Sequence, residues 1–312
     1  MNREKGWKEK VKEWASILMT SIMIPCILTL LISGTSETAG RKDSGIIIEM
    51  ENGEKVDMEE FLIYMVAGQV DLNSSKELLK VQSVIARTNL MRELNGSKEA
   101  KAKELNITYL PKEKLFGNLG AVKKEEIIKK LNQVVRETHG YVLTYEDDYI
   151  EALYHSISTG TTVSAEEMFG KARPYLMAVD SSQDVEAEEY MTLSPWNGKE
   201  LLAKLQGIGL GKAYTTDTVF SALKIAEKTK NGYVKKVTVG EEQVSGDEWK
   251  KLFGLNSTHF YLEEQEGLLR MIVVGKGHGV GLSQYGAETL AEEGWNWKDI
   301  LMKYYPGAVL EK

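Results

Sequence analysis

The chain has 312 residues, 42% of them apolar and 27% charged, with a formal charge of −7 at neutral pH. That balance belongs to a folded globular protein, and its acidity argues against nucleic acid or an anionic lipid surface as partner, since both are held through Lys and Arg. The one cysteine, Cys26, lies in the first apolar run, so disulfide and thiol chemistry are excluded for everything after it.

Trp14 to Ser36 runs without a charge for 23 residues, long enough to cross a hydrocarbon layer as a helix. Arg3, Lys5, Lys8, Lys10 and Lys12 precede it and the first charge after it is Glu37, so the positive-inside bias puts residues 1–13 in the cytoplasm and the remainder outside. A single-pass anchor over 14–36 is therefore expected; a cleaved signal peptide is the alternative, disfavoured by the length of the run and by the lack of an A-x-A site after it. Residues 37–44 are a small, polar tether, and 45–312 form the exported domain.

Gly45 to Met50 reads as a strand, turned at Asn52-Gly53 into a second strand through Val56. Asp57 with Glu60 opens a helix whose apolar face is Phe61, Leu62, Tyr64 and Met65, and Gly68 stands at the usual C-cap position, leaving Gln69 in the following loop. Ser74 with Glu77 opens the next helix. From Glu77 to Leu94 its apolar residues cover most of the circumference, which predicts burial on all sides. Lys80 and Arg87 share one stripe of that helix, Gln82 and Asn89 another, and charges on a buried helix need partners. Snorkelling to solvent is the plain alternative for Lys80; Arg87, in the middle, is the better candidate for a polar site.

Ile107 to Gly117 reads as a loop and Lys123 to His139 as an amphipathic helix closed by Gly140. Tyr141 to Ser156 has the pattern of a hairpin turning at Glu146 to Asp148, running into the hydroxyl-rich S-I-S-T-G-T-T. From about 191 to 275, helices (198–205, 247–253) alternate with hairpins (233–240, 259–274), a region that could form a second lobe. Two further helices follow the glycine run, Gln284 to Glu293 and, capped by Asn296, Trp297 to Tyr305.

The glycines from Gly275 to Gly281 lack the spacing of a phosphate-binding loop. They are better read as a strand end where the backbone needs close approach, which places His278, Ser283 and Gln284 along a groove. No G-x-S-x-G surrounds Ser283, so serine nucleophilic catalysis is disfavoured. His155 is a weak metal candidate, since a zinc site needs three or four ligands and only Glu166 and Glu167 lie downstream. No cofactor is expected. Trp295 and Trp297 could stack on sugar rings or pack at a helix start.

Taken together, several stretches resemble the stage II sporulation protein D and amidase-enhancer family. They are Val66 to Thr88, with Lys80, Gln82 and Ala86-Arg87-Thr88; Y-H-S-I-S-T-G-T-T; P-Y-L-M-A-V-D-S; V-S-G-D-E-W-K-K-L-F-G-L-N-S-T-H-F; and G-K-G-H-G-V-G-L-S-Q-Y-G-A through Y-Y-P-G. The resemblance implies an α+β fold, in which one transmembrane helix precedes a mixed helix and antiparallel-sheet domain with two lobes around a glycan groove. It implies action on peptidoglycan during engulfment, with glycan strands and other cell-wall hydrolases or engulfment proteins as partners. Sporulation members are lytic transglycosylases. Their chemistry needs one carboxylic acid, which protonates the glycosidic oxygen and then accepts the proton of the sugar's own 6-hydroxyl.

The family's acid lies eighteen positions before the arginine of A-R-T, and that position here is Gln69. An amide has no proton to transfer. Val70-Asp71 replaces the family's usual Met-Pro, Thr159-Gly160 its paired glycines, and Thr161 and Glu167 the cysteines with which some members hold zinc, which weakens the zinc reading further. The expectation is a glycan-binding protein that keeps Lys80, Arg87, His278, Ser283 and Gln284 in its groove without the acid. An active lytic transglycosylase using Asp71, and an activator of a cell-wall amidase, are the alternatives.

Overall fold

The computed structural model describes residues 44–117 and 120–312. The anchor expected over 14–36 lies outside the described residues, and no described helix is long and apolar enough to cross a membrane. Strands β1 (Ile47–Glu49) and β2 (Lys55–Asp57) pair antiparallel across the Asn52-Gly53 turn, and β3 (Glu99–Lys101) joins β1 in parallel. Asp57 caps helix α1 (Met58–Gln69) by accepting from the Glu59 N–H, and is itself gripped by the Ser44 N–H and hydroxyl.

Helix α2 (Lys76–Leu94) is the centre of the molecule. Leu78, Val81, Val84 and Ile85 enter one hydrophobic core; Leu79, Ala86, Leu90 and Leu94 enter another, shared with α1. Its cap is Ser75, one residue later than the Ser74–Glu77 pairing predicts. Glu77 is needed elsewhere: its Oε1 meets Lys80 and its Oε2 accepts from the Trp297 N–H at 2.9 Å.

The stretch expected to be a loop after Ile107 contains a short helix, α3 (Lys112–Phe116), before α4 (Ala121–Glu137). The hairpin β4 (Val142–Tyr145) and β5 (Asp148–Tyr149) turns on Glu146 and Asp147, both at positive φ, as the right-handed twist of a two-residue hairpin loop requires. The hairpin is shorter than the pattern suggested. Beyond it β6 (Tyr154–His155) leaves β4 and pairs in parallel with β13 (Leu282–Ser283). That pairing is possible because the intervening side has no side chains in the way: a Cβ on Gly281 would collide with the Leu153 carbonyl, and one on Gly279 with the Tyr233 hydroxyl.

After α5 (Ala165–Phe169), the segment from β7 (Met191–Asn197) onward builds its own core. Helix α6 (Gly198–Gly207), strands β8 (Leu223–Lys228), β9 (Val234–Val239) and β10 (Glu242–Ser245), helix α7 (Gly246–Phe253) and strands β11 (Phe260–Gln265) and β12 (Leu268–Val274) form two three-stranded antiparallel sheets, β10-β9-β8 and β11-β12-β7. Leu201, Val237, Trp249, Phe260 and Met271 pack between them. Residues 44–312 nonetheless form a single compact unit. Helices α8 (Gln284–Glu292) and α9 (Trp297–Tyr304) pack on α2, and β14 (Val309–Glu311) closes the chain against β4. The architecture is α+β, its sheets antiparallel apart from the β1–β3 and β6–β13 pairs.

Burying the middle of α2, Val81 to Thr88, on every side forces Arg87 to find partners inside. Arg87 is 1% exposed and spends all its donors within the protein. Nε and Nη2 each bind a Glu59 oxygen at 2.8 Å, and Nη1 donates to the Thr138 and Tyr141 carbonyls at 2.8 and 3.2 Å. Breaking such a pair leaves an uncompensated buried charge. Glu59→Gln and Arg87→Met are therefore each expected to lower unfolding stability by about 3–5 kcal/mol in urea titrations, and Arg87→Lys, which cannot span the same acceptors, the Val135 carbonyl among them, should fall nearly as far.

Candidate functional site

Gln69 is not the loop residue that a C-cap at Gly68 would make it. The helix runs through it, and Val70 closes the last turn with its N–H on the Val66 carbonyl. Gly68 serves close approach instead. The segment around Tyr109 lies across the helix end, its Leu110 N–H donating to the Tyr64 carbonyl at 2.8 Å, and a Cβ on Gly68 would stand 2.8 Å from both the Leu110 nitrogen and the Tyr109 carbonyl carbon. The Thr108 carbonyl is thereby brought beside the Gln69 side chain.

Three glutamine amides meet there. The fully buried Gln82 of α2 donates from Nε2 to Gln69 Oε1 at 2.8 Å. Gln284, the first residue of α8, donates from Nε2 to the Gln69 main-chain carbonyl at 2.7 Å and to Gln82 Oε1 at 3.2 Å. Gln69 Nε2 in turn donates to the Thr108 carbonyl at 2.9 Å. The cluster can orient hydroxyls and amides of a ligand, but none of its side chains can exchange a proton near neutral pH.

The remaining expected residues fall into different settings. Asp71 is exposed, and its Oδ1 accepts from the N–H and side-chain amide of Asn73 at 2.9 and 3.0 Å within its own turn. Lys80 is held between Glu77 and Glu137 at 2.7 and 2.8 Å. Burial works against its charge, yet the two carboxylates win and raise its pKa, while Glu137 is lowered chiefly by Lys80. Arg87 belongs to the Glu59 network and shares no partner with Gln69. Ser283 is fully buried as the cap of α8, accepting from the Gly286 N–H and donating to the Ser156 carbonyl. Gln284 alone of the C-terminal candidates touches Gln69.

His278 accepts at Nδ1 from the Val280 N–H at 3.1 Å, and its ring lies 5.8 Å from that of His155 and 6.4 Å from Phe169. Burial, then Lys250, lowers its pKa. His155 is buried, with Nδ1 against the Val280 carbonyl at 3.2 Å and no partner for Nε2. Burial, helped by His278, pushes its pKa down to about 3. Glu167 is engaged by the Asn231 backbone and side chain, and among the described residues no group of three or more His, Cys, Asp or Glu side chains is placed to hold a metal ion. Trp297 is buried edge-on to Tyr141, whereas Trp295 is exposed. Gln82, present in the family motif and on a stripe with Asn89 but not expected as a site residue, is one partner the sequence reading passed over; Thr108 is the other, contributing a main-chain atom that no residue type advertises.

The family model described as stage II sporulation protein matches residues 49–145. Stage II sporulation protein D of Bacillus amyloliquefaciens is 31% identical over 263 residues, which is 81% of this chain and 74% of that protein. Its counterpart of the same name in Bacillus subtilis (strain 168) is 30% identical over 267 residues, 83% of this chain and 76% of the relative. The amidase enhancer of the same B. subtilis strain is 25% identical over 293 residues, covering 79% of this chain but 39% of the enhancer.

A histidine kept neutral by burial makes folding pH-dependent in a definite direction. The unfolded chain binds a proton at His155 below its ordinary 6.5 while the folded one waits until about 3, so this contribution is present above pH 6.5 and lost as the pH falls through that window. The stability of wild type relative to His155→Leu should therefore fall as the pH drops from 6.5 to 4, by up to about 1.4 kcal/mol per pH unit. Denaturant midpoints measured at each pH check it.

Proposed function

Because the chain belongs to the stage II sporulation protein D family, we propose that it binds the glycan strands of peptidoglycan and remodels the wall during engulfment, with the enzyme's frame in place and its acid replaced. The observation that carries this is the amide cage. Gln69 stands at the acid position of the family motif and is hydrogen-bonded at both ends of its side chain, by Gln82 and to Thr108. Glycosidic cleavage needs a proton delivered to a poor leaving oxygen, and nothing in this cage supplies one. Gln69, Gln284 and His278 keep partial exposure, which supports their facing the strand. Lys80, Arg87 and Ser283 are engaged inside the protein and support its frame.

Asp71 is a poor replacement, since its carboxylate closes a turn with Asn73 rather than facing the cage. An activating role on a cell-wall amidase is a second reading, supported by the similarity to a protein named amidase enhancer. In either case the domain acts outside the cytoplasm, tethered by the segment 14–36, and meets other wall hydrolases or engulfment proteins there.

The test incubates the protein with glycan strands stripped of stem peptides and measures both binding and anhydro-muramyl products. Wild type should bind without products, and Gln69→Glu should gain cleavage. Gln82→Leu, which removes the donor that orients Gln69, should weaken binding about tenfold. Cleavage by wild type that Asp71→Asn abolishes would overturn the proposal. Faster amidase release in a mixture, with no strand binding, would favour the activator.

A further inference from the structure

Hydrogen-bond polarity around Gln69 runs one way. Gln284 N–H points to the Gln82 carbonyl, Gln82 N–H to the Gln69 carbonyl, and Gln69 N–H to the main-chain carbonyl of Thr108. Gln82 cannot turn its amide over without losing Gln284 as donor, and the Thr108 carbonyl can only accept. We infer that this cage is built to hold a hydrogen-bond donor at position 69, with the Thr108 carbonyl as positioning group, so that an acid here is kept protonated and Gln69 imitates its protonated form. The inference deepens the reading of the preceding subsection and rests on it for the role of position 69.

A neutral carboxylic acid fits the same contacts: its C=O takes the Gln82 N–H and its O–H replaces the Gln69 N–H on Thr108. A carboxylate instead sets a charged oxygen against a carbonyl oxygen at the 2.9 Å the amide now spans. One donor, from Gln82, favours the anion; the opposed carbonyl and half-burial favour the acid. Thr108 cannot readily retreat, because the adjoining Leu110 N–H is fixed to Tyr64 and the segment rests on Gly68.

Several charged groups on the surrounding elements are committed elsewhere. On α2, Glu77 and Lys80 pair with each other and with Trp297 N–H and Glu137. Lys130 of α4 binds the Leu72 and Ser74 carbonyls at 2.8 Å, and Glu288 of α8 binds Ser75 at 2.7 Å through each oxygen. The Tyr109 hydroxyl is bonded to Glu51. Asp71, two residues on, is exposed and turned to Asn73.

The experiment is a titration of Gln69→Glu in the full-length chain carrying carboxyl-labelled glutamate, with the extra resonance followed by NMR against wild type. The carboxyl introduced at position 69 is expected to titrate at least about one pH unit above the ordinary glutamate value of ~4.3. A value at or below the ordinary one overturns the inference. Thermal midpoints give an independent reading: a raised folded pKa means that stability present at low pH is lost as pH rises through it, so the deficit of Gln69→Glu against wild type should grow from pH 4.5 to pH 8. A flat or shrinking deficit, or a variant unfolded at pH 4.5 as well as pH 8, overturns it too, since the neutral acid should fit. A raised value without any gain of glycan cleavage would leave this inference standing and count against the proposed function alone; cleavage with an ordinary value would do the reverse.

Discussion

Where a helix is buried on all its faces, its polar side chains have no solvent into which they can turn, and the rest of this structure is arranged around that constraint on the middle turns of α2. Apolar residues at most positions commit it to two cores at once. Gln82, Arg87, Thr88 and Asn89 must then be satisfied by protein groups, because an unpartnered buried polar group costs more than a made hydrogen bond contributes. Arg87 draws Glu59 from α1 and the carbonyls that end α4; Thr88 takes the Leu143 N–H of β4; Asn89 clasps both backbone groups of Ala152. Gln82, on the same side as Asn89, points to the end of α1.

The helix is held at its N-terminus by the last part of the chain. Glu288 of α8 binds the Ser75 N–H and hydroxyl, and Glu77 of α2 caps α9 through the Trp297 N–H, so the two segments cap each other across more than 200 residues of sequence. The β6–β13 pairing, allowed by the alternate glycines, sets the start of α8. Gln284 thereby reaches both Gln69 and Gln82. The candidate site thus follows from how α1, α2 and α8 are tied together, and those ties fix the geometry around Gln69.

The burial of α2 could be read from its apolar residues spread round the wheel, and the helices and hairpins of residues 191–275 from their alternation, though not the core they share. Gln69 stood out only through the family motif; by periodicity alone it was a residue past a helix end. Gly68 shows why. A glycine after an apolar helix is the signature of a left-handed cap and equally of a close crossing by another segment, and only the position of Tyr109 separates the two. Arg87 read as a site residue because its partner, Glu59, looks in sequence like an ordinary acid of a first helical turn. Lys80 likewise finds Glu137 through a contact between distant helices. Thr108 was beyond reach, since it acts through a main-chain atom.

In the function proposed above, the cage at the end of α1 meets glycan through neutral amides, and its three glutamine side chains carry no group that titrates near neutrality. The measurement that tests this most directly is the affinity for stem-peptide-free glycan strands between pH 7 and 9 at constant salt, above the lowered range of His278. Binding should stay level across this range, with no cleaved products; an affinity that steps by tenfold or more within it would reveal an ionising group among the cage residues and contradict the proposal.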